Sequence, residues 1–249
     1  MPFPTSPSLR LDFIPGTLCD ERMWTRLTPL LGGHFDLHHV PLHKARTRLQ
    51  MQELIASHSA PQAHIVAFSL GAYLAVEYAV AHPERIASLT LIANSAKGLQ
   101  PAEIETRQRI AIMLERNAYT GITRQRLREI LHPVHVQDAP IVGLIDQMAH
   151  DLGKDVLLTQ FATTIDRLDL MDRLAGLAFP VLIVGAEDDK LVPAADLRDM
   201  AAHFPHATLQ MLGEASGQQT GHMIPLEAPQ ALADAMLAFI ADHRAVFQR

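Results

Sequence analysis

Short apolar runs punctuate the chain, and between them the apolar positions spread out to helical spacing. Leu9 to Gly16 (LRLDFIPG) is an apolar run stopped by Pro-Gly, which reads as a buried strand. A helix is predicted over Met23 to Leu31, ended by Gly32-Gly33. Phe35 to Val40 reads as a second strand, Met51 to His58 as a helix, and His64 to Phe68 as a third strand. Leu70 to Ala81 has helical character, and Arg85 to Asn94 (RIASLTLIAN) is a fourth strand. From Lys97 to Leu177 the pattern is amphipathic and helical without a convincing strand, broken by Gly121, Pro133 and Pro140. Val181 to Gly185 (VLIVG) restores a buried strand. A helix over Ala194 to His203, a strand over Thr208 to Leu212 and a helix over Pro229 to His243 follow. The first eight residues hold three prolines and are expected to be an extended tail.

Strands alternating with helices predict an α/β architecture with a mostly parallel sheet of about six strands, flanked by helices on both faces. Runs such as VLIV and LTLIA suit strands buried on both sides. The all-helical block between two strands predicts an insertion. The expected division is a core over 9–95 and 178–246 with an inserted helical cap over 96–177. Open α/β sheets bind ligands at the carboxyl edge of their strands, so the insertion is expected to cover a site there.

Composition narrows the function classes. Hydrophobic residues make up 48% and charged residues 19% of the 249 positions, which fits a globular fold and excludes disorder, collagen and coiled coil. Net charge is −6, from 21 Lys+Arg against 27 Asp+Glu, with no basic block of five or more, so nucleic acid is not an expected partner. One cysteine excludes an internal disulfide, and no CxxC pair is present to hold zinc. No apolar run reaches the ~18 residues of a membrane span, and MPFPTSPSLR lacks the basic start and apolar stretch of a secretory signal. A soluble, cytoplasmic protein is therefore expected, with no membrane partner. Oligomeric state stays open.

The sharpest chemical signal is Ala67-Phe68-Ser69-Leu70-Gly71, where an apolar strand turns directly into a helix. A serine in so tight a turn has its hydroxyl lifted off the sheet, and small neighbours two positions away let strand and helix backbones pass closely. The helix start adds free N–H groups and positive potential, which suit a developing oxyanion. These residues resemble the elbow of the α/β-hydrolase superfamily, usually G-x-S-x-G, with Ala67 in place of the first glycine.

The resemblance extends to two further motifs. Gly221-His222-Met223 with Glu227-Ala228-Pro229 is similar to the superfamily's catalytic histidine loop. A serine near neutral pH needs such a base. Ala186-Glu187-Asp188-Asp189-Lys190-Leu191-Val192-Pro193 resembles the family pattern G-x-x-D-x-x-x-P. Counting back from Pro193 selects Asp189 as the acid, and counting forward from Gly185 selects Asp188. Strand and proline both fall into place with Asp189, which is the preferred reading. The order Ser69, Asp189, His222 is the superfamily's order. The family's oxyanion hole resembles Pro15-Gly16-Thr17 here, with Pro15 where His is usual, as in a bacterial branch that carries Pro-Gly. Its donors would be the backbone N–H groups of Thr17 and Leu70. The family's first antiparallel hairpin is expected to be missing. Cys19 lies next to this loop without an elbow of its own and reads as a buried small hydrophobe.

The resemblance implies a serine hydrolase of carboxylesterase type, acting on a small-molecule ester or related acyl substrate through an acyl-enzyme on Ser69. It implies no metal and no organic cofactor. The same three residues also suit a thioesterase, a lactonase, a C–C hydrolase or a lyase, and some members of the fold are ligand-binding receptors with slow turnover. Leu18, Met113, His132, His135, Met148 and Met223 are the candidate substrate-binding residues. The insertion holds six arginines and two glutamates between Glu105 and Arg128, then eight acids and two bases from Glu129 to Asp172, so an anionic substrate stays open. Histidines 34, 38, 39 and 43 cluster locally but are interrupted by Pro41, and surface positions are expected for them.

Overall fold

Six strands pair side by side, and all the pairings are parallel. They are β1 (Leu9–Ile14), β2 (Phe35–His39), β3 (Ala63–Phe68), β4 (Ile86–Ile92), β5 (Val181–Ala186) and β6 (Ala207–Leu212), in the spatial order β2-β1-β3-β4-β5-β6. The computed structural model describes residues 9–33 and 35–247, so the predicted tail over 1–8 and His34 lie outside the described residues. Among the described residues no antiparallel strand joins the sheet.

Two apolar cores explain why the central strands lack polar alternation. Val66, Phe68, Ile92, Leu182 and Val184 enter one core, and Ile65, Ala67, Leu89, Leu91, Val181 and Ile183 enter the other. Successive side chains of a strand point to opposite faces, so a strand buried on both faces must be apolar throughout. The second core is closed by α1 (Arg48–His58), α2 (Leu70–Ala81) and, later in the chain, a helix carrying Leu197 and Met200. The first is closed largely by the chain's C-terminal helices, through Leu232, Met236, Phe239 and Phe247.

Between β4 and β5 the chain forms α3 (Pro101–Arg116), α4 (Arg124–Ile130) and α5 (Ala139–Thr163). Gly121 separates α3 from α4 at a positive φ of 90°. Pro140 stands in the first turn of α5, where its missing N–H has no intrahelical partner to lose, so it starts a helix rather than breaking one. Gly153, at φ 75°, kinks α5. The remaining helices are α6 (Ala194–His203), α7 (Ile224–Glu227), α8 (Pro229–Asp242) and α9 (Arg244–Phe247).

The helix predicted over Met23 to Leu31 does not form. Two 3-10 turns, Glu21–Trp24 and Thr28–Leu31, stand there instead. Asp20 caps the first by accepting the Arg22 N–H at 3.0 Å, and Pro29 removes an N–H in the middle of the segment. Burial of Met23, Trp24, Leu27 and Leu31 holds the turns in place of helical propensity. No helix among the described residues is long and apolar enough to cross a membrane.

The strand order reverses after β2: the chain leaves β1 toward one edge and places β3 on β1's other side. Ile14 pairs with Ala67 there, so the loops leaving β1 and β3 meet at the carboxyl edge. Such a switch point opens a crevice for a ligand.

Candidate active site

Ser69 occupies that crevice as the link between β3 and α2. Its φ of 50° and ψ of −116° lie outside the basins a serine prefers. The strain is held by the sheet, since the Ser69 N–H donates to the Ile92 carbonyl at 2.9 Å. Close packing demands the small neighbours. A Cβ at Gly71 would fall 2.6 Å from the Ile14 carbonyl oxygen and against that of Pro15. One at Gly16 would meet the Phe68 ring at 2.7 Å.

His222 and Asp189 converge on this serine. His222 Nε2 lies 2.9 Å from Ser69 Oγ, and Nδ1 lies 2.8 Å from Asp189 Oδ2. A carboxylate only accepts, so Nδ1–H donates to Asp189, and Nε2 is left to accept the serine O–H. Asp189 is rigidly held in the turn after β5: its Oδ1 accepts the N–H groups of Leu191 at 2.8 Å and Val192 at 3.1 Å. Asp188 points elsewhere, half exposed, 3.8 Å from His132 Nε2.

The loop carrying His222 is tied to the end of α4. The N–H groups of His222 and Met223 donate to the Ile130 carbonyl at 2.9 and 3.2 Å. Glu227 completes the tie by accepting three backbone N–H groups, from His132 at 2.7 Å and from Gly221 and Met223 at 3.0 Å each. Burial pushes its carboxyl up to about 7, against the pull of those donors. Glu227 was visible in sequence only as part of a motif tail, because two of its three contacts are local but the third crosses 95 positions.

Leu70 N–H is the first amide of α2 and has no intrahelical acceptor. Thr17 lies in the loop after β1. The neighbouring Leu18 sits at φ 53°, and its N–H donates to Gln160 Oε1 of α5 at 2.8 Å. Cys19 is buried, its thiol donates to the Thr17 carbonyl at 3.3 Å, and burial with the charge of Asp20 pushes the thiol up to about 12. At that value it is not a thiolate, so it has no nucleophilic form near neutral pH.

A cavity of about 940 Å³ opens onto Ser69 and His222. Of the predicted substrate-binding residues, Leu18, Met113 and Met223 line it. His132, His135 and Met148 are not among its lining. The His132 Nδ1 accepts the Val134 N–H at 3.4 Å, the His135 Nε2–H donates to the Gln219 carbonyl at 2.9 Å, and Met148 is fully buried in the core. Helical spacing alone does not say which side of a helix meets a cavity and which meets the core. Sequence reasoning did not single out Arg107, Arg167 and Gln160. The first two line the cavity, and the third lies directly behind the loop after β1. No group of three or more His, Cys, Asp or Glu side chains converges as metal ligands among the described residues.

The model of the alpha/beta hydrolase family matches residues 13–235. Pimeloyl-[acyl-carrier protein] methyl ester esterase of Salmonella typhimurium is 25% identical over 223 residues, 79% of this chain and 82% of that protein. The 2-hydroxy-6-oxononadienedioate/2-hydroxy-6-oxononatrienedioate hydrolase of Burkholderia vietnamiensis is 25% identical over 187 residues, 72% of this chain. The match spans 62% of that relative's length, and 46% in the case of an acetyltransferase component from Pseudomonas putida. Among solved structures, a thermophilic esterase from Thermogutta terrifontis superposes with a TM-score of 0.80 over 98% of this chain and 92% of its own, at 20% identity, which is a likeness of fold.

Proposed function

This chain belongs to the alpha/beta hydrolase family, and from that premise we propose that it is a serine hydrolase cleaving carboxylic esters. Ser69 Oγ attacks the ester carbonyl while His222 Nε2 takes the hydroxyl proton. Asp189 stabilises the imidazolium through Nδ1–H and stays ionised. The carbonyl oxygen becomes an oxyanion held by the Thr17 and Leu70 amides. When the tetrahedral adduct collapses, the alkoxide takes the proton from Nε2 and leaves as an alcohol. Water, deprotonated by the same imidazole, then attacks the acyl-enzyme, releases the acid and restores Ser69. The helices of 96–177 act as a cap on a core of 9–95 and 178–246, limiting water and shaping the substrate's surroundings.

The observation that carries this reading is the unbroken hydrogen-bonded line from Asp189 through His222 to a strained Ser69 at the mouth of a cavity. The ester activity named for the Salmonella relative, which spans 79% of this chain, points to the same chemistry. The test is hydrolysis of p-nitrophenyl esters from acetate to decanoate by wild type and Ser69→Ala. Wild-type turnover is expected on part of the series, with kcat reduced by ~10⁴ or more in the variant. A Ser69→Ala protein that keeps its rate defeats the serine-hydrolase reading, and a wild type inert both on this series and on esters carrying a second, ionised carboxyl group defeats the ester-hydrolase reading.

A further inference from the structure

Arg167 is a cation without an anion. It follows α5, where the chain is pinned on two sides: the Tyr73 hydroxyl donates to the Leu168 carbonyl at 2.9 Å, and the Leu170 N–H to the Ala96 carbonyl at 2.9 Å. Its guanidinium stacks on the Tyr73 ring, 4.9 Å from the centroid. Its Nε is buried and has no hydrogen-bond partner, and its side chain donates to no protein acceptor among the described residues. Burial, then the charge of Arg107, pushes the group down to about 9, so it is still a cation at neutral pH.

The neighbouring charges do not neutralise it. Arg48, on the same Tyr73 ring at 5.3 Å, is held by Glu77, with its Nε–H donating at 2.8 Å. Arg107 stacks on Phe161 and donates to Glu103 at 2.8 Å and to Thr164 at 3.3 Å. Glu103 is therefore taken up by Arg107, no carboxylate lies within ion-pair reach of Arg167 among the described residues, and both arginines line the cavity that contains Ser69. Polar groups taken out of water need partners, and a guanidinium presents a fork that fits a carboxylate. Glu77 and Asp166 face Arg48 and Glu103 faces Arg107, so among the described residues no carboxylate is paired with Arg167 itself, whose fork is left for a carboxylate.

We propose that Arg167 and Arg107 form a carboxylate-binding subsite in this cavity, selecting esters whose acyl chain ends in a second, ionised carboxyl group. This rests on the serine-hydrolase reading for the position of the scissile bond. Tyr73 places the subsite beyond the nucleophile: it is one helical turn along α2, with its N–H donating to the Ser69 carbonyl at 3.1 Å. Apolar side chains such as Ile110, Met113, Leu114 and Phe161 line the same cavity and suit the methylenes between the two carboxyl groups.

The test separates binding from turnover. Ser69→Ala protein is titrated calorimetrically with monomethyl adipate and with methyl hexanoate, which have equal chains and differ in the terminal carboxylate. Monomethyl adipate is expected to bind at least tenfold tighter, and adding Arg167→Gln should shrink the gap to less than threefold. Arg107→Gln, in the same background, should narrow it too, and decides the matter if the Arg167 variant does not fold. Equal affinities, no saturable binding of monomethyl adipate at millimolar concentration, or a gap untouched by the folded variants overturns the subsite. Hydrolysis of the same two esters by wild type is measured alongside. Selective binding without turnover keeps the subsite and defeats the ester-hydrolase reading, and turnover without selectivity does the reverse.

Discussion

Leu18 and Ser69 both hold a positive φ that side-chain-bearing residues seldom adopt, and both flank the cavity. Ser69 is held there by its own sheet, through the Ile92 carbonyl. Leu18 depends on a side chain 142 positions away, Gln160, which is almost fully buried and whose Nε2 has no partner. Burying that amide is costly, and its one described bond holds the loop in which Thr17 presents its N–H. In the proposed mechanism Gln160 is thus a positioning residue. Gln160→Leu should lower kcat on p-nitrophenyl butyrate by ~10-fold to 10²-fold with a smaller change in KM, approaching the loss of one oxyanion donor. A kcat within twofold of wild type would mean that the loop keeps its shape without the amide. The same scale settles Cys19, which burial removes from nucleophilic chemistry.

At the scale of elements, the histidine loop is built from two distant segments. Glu227, in α7, accepts N–H groups from the loop itself and from His132 just after α4, and Ile130 accepts two more. Gly221 permits this approach, because a Cβ there would lie 2.7 Å from the His132 nitrogen. An amide cannot replace the carboxylate, since its NH₂ would face an N–H that needs an acceptor. Glu227→Gln should destabilise the protein by ~1–3 kcal/mol, one buried unsatisfied donor, and lower kcat as His222 loses its fixed position. Thermal unfolding and ester turnover measured together check this, and unchanged values of both would mean that the loop is held elsewhere. The element also shows what motif reading reaches. His222 and Glu227 stand out by spacing, whereas the partnership with Ile130 and His132 joins stretches with no common motif.

Across the whole molecule, two buried faces make the sheet apolar, and its pH response follows from what that burial includes. His64 on β3 stacks against Phe247 of α9 at 4.2 Å, with its Nδ1 2.9 Å from Ser88 Oγ on β4. Burial pushes its imidazole down from 6.5 to about 4. The unfolded chain therefore takes up this proton near pH 6.5 and the folded chain only near pH 4. The stabilisation is complete above pH 6.5 and is lost as the pH falls toward 4. The drop in Tm between pH 7 and pH 4.5 should be smaller in His64→Gln than in wild type. Equal drops in the two proteins would mean that His64 titrates alike in folded and unfolded chains.

What the sequence determined by itself is local in origin. Apolar runs set the six strands, helical spacing set α2, α6 and α8 to within a residue or two, and the strained elbow at Ser69 announced itself through small residues on either side. Each of these depends on the conformational preference of a few consecutive residues. The stretch after Gly16 escaped that logic, because Pro29 and the burial of Trp24 impose 3-10 turns where apolar spacing predicts a helix. Spacing to Pro193 already favoured Asp189 over Asp188, and its 2.8 Å contact with His222 agrees with that. Tertiary structure alone decided that His132 and Met148 turn away from the cavity, and that Arg167 lies half-buried on its lining with no carboxylate bonded to it among the described residues. Those outcomes are distances between parts of the chain far apart in sequence. They are fixed only when the sheet and the inserted helices pack, because packing chooses which face of each segment is buried and against what.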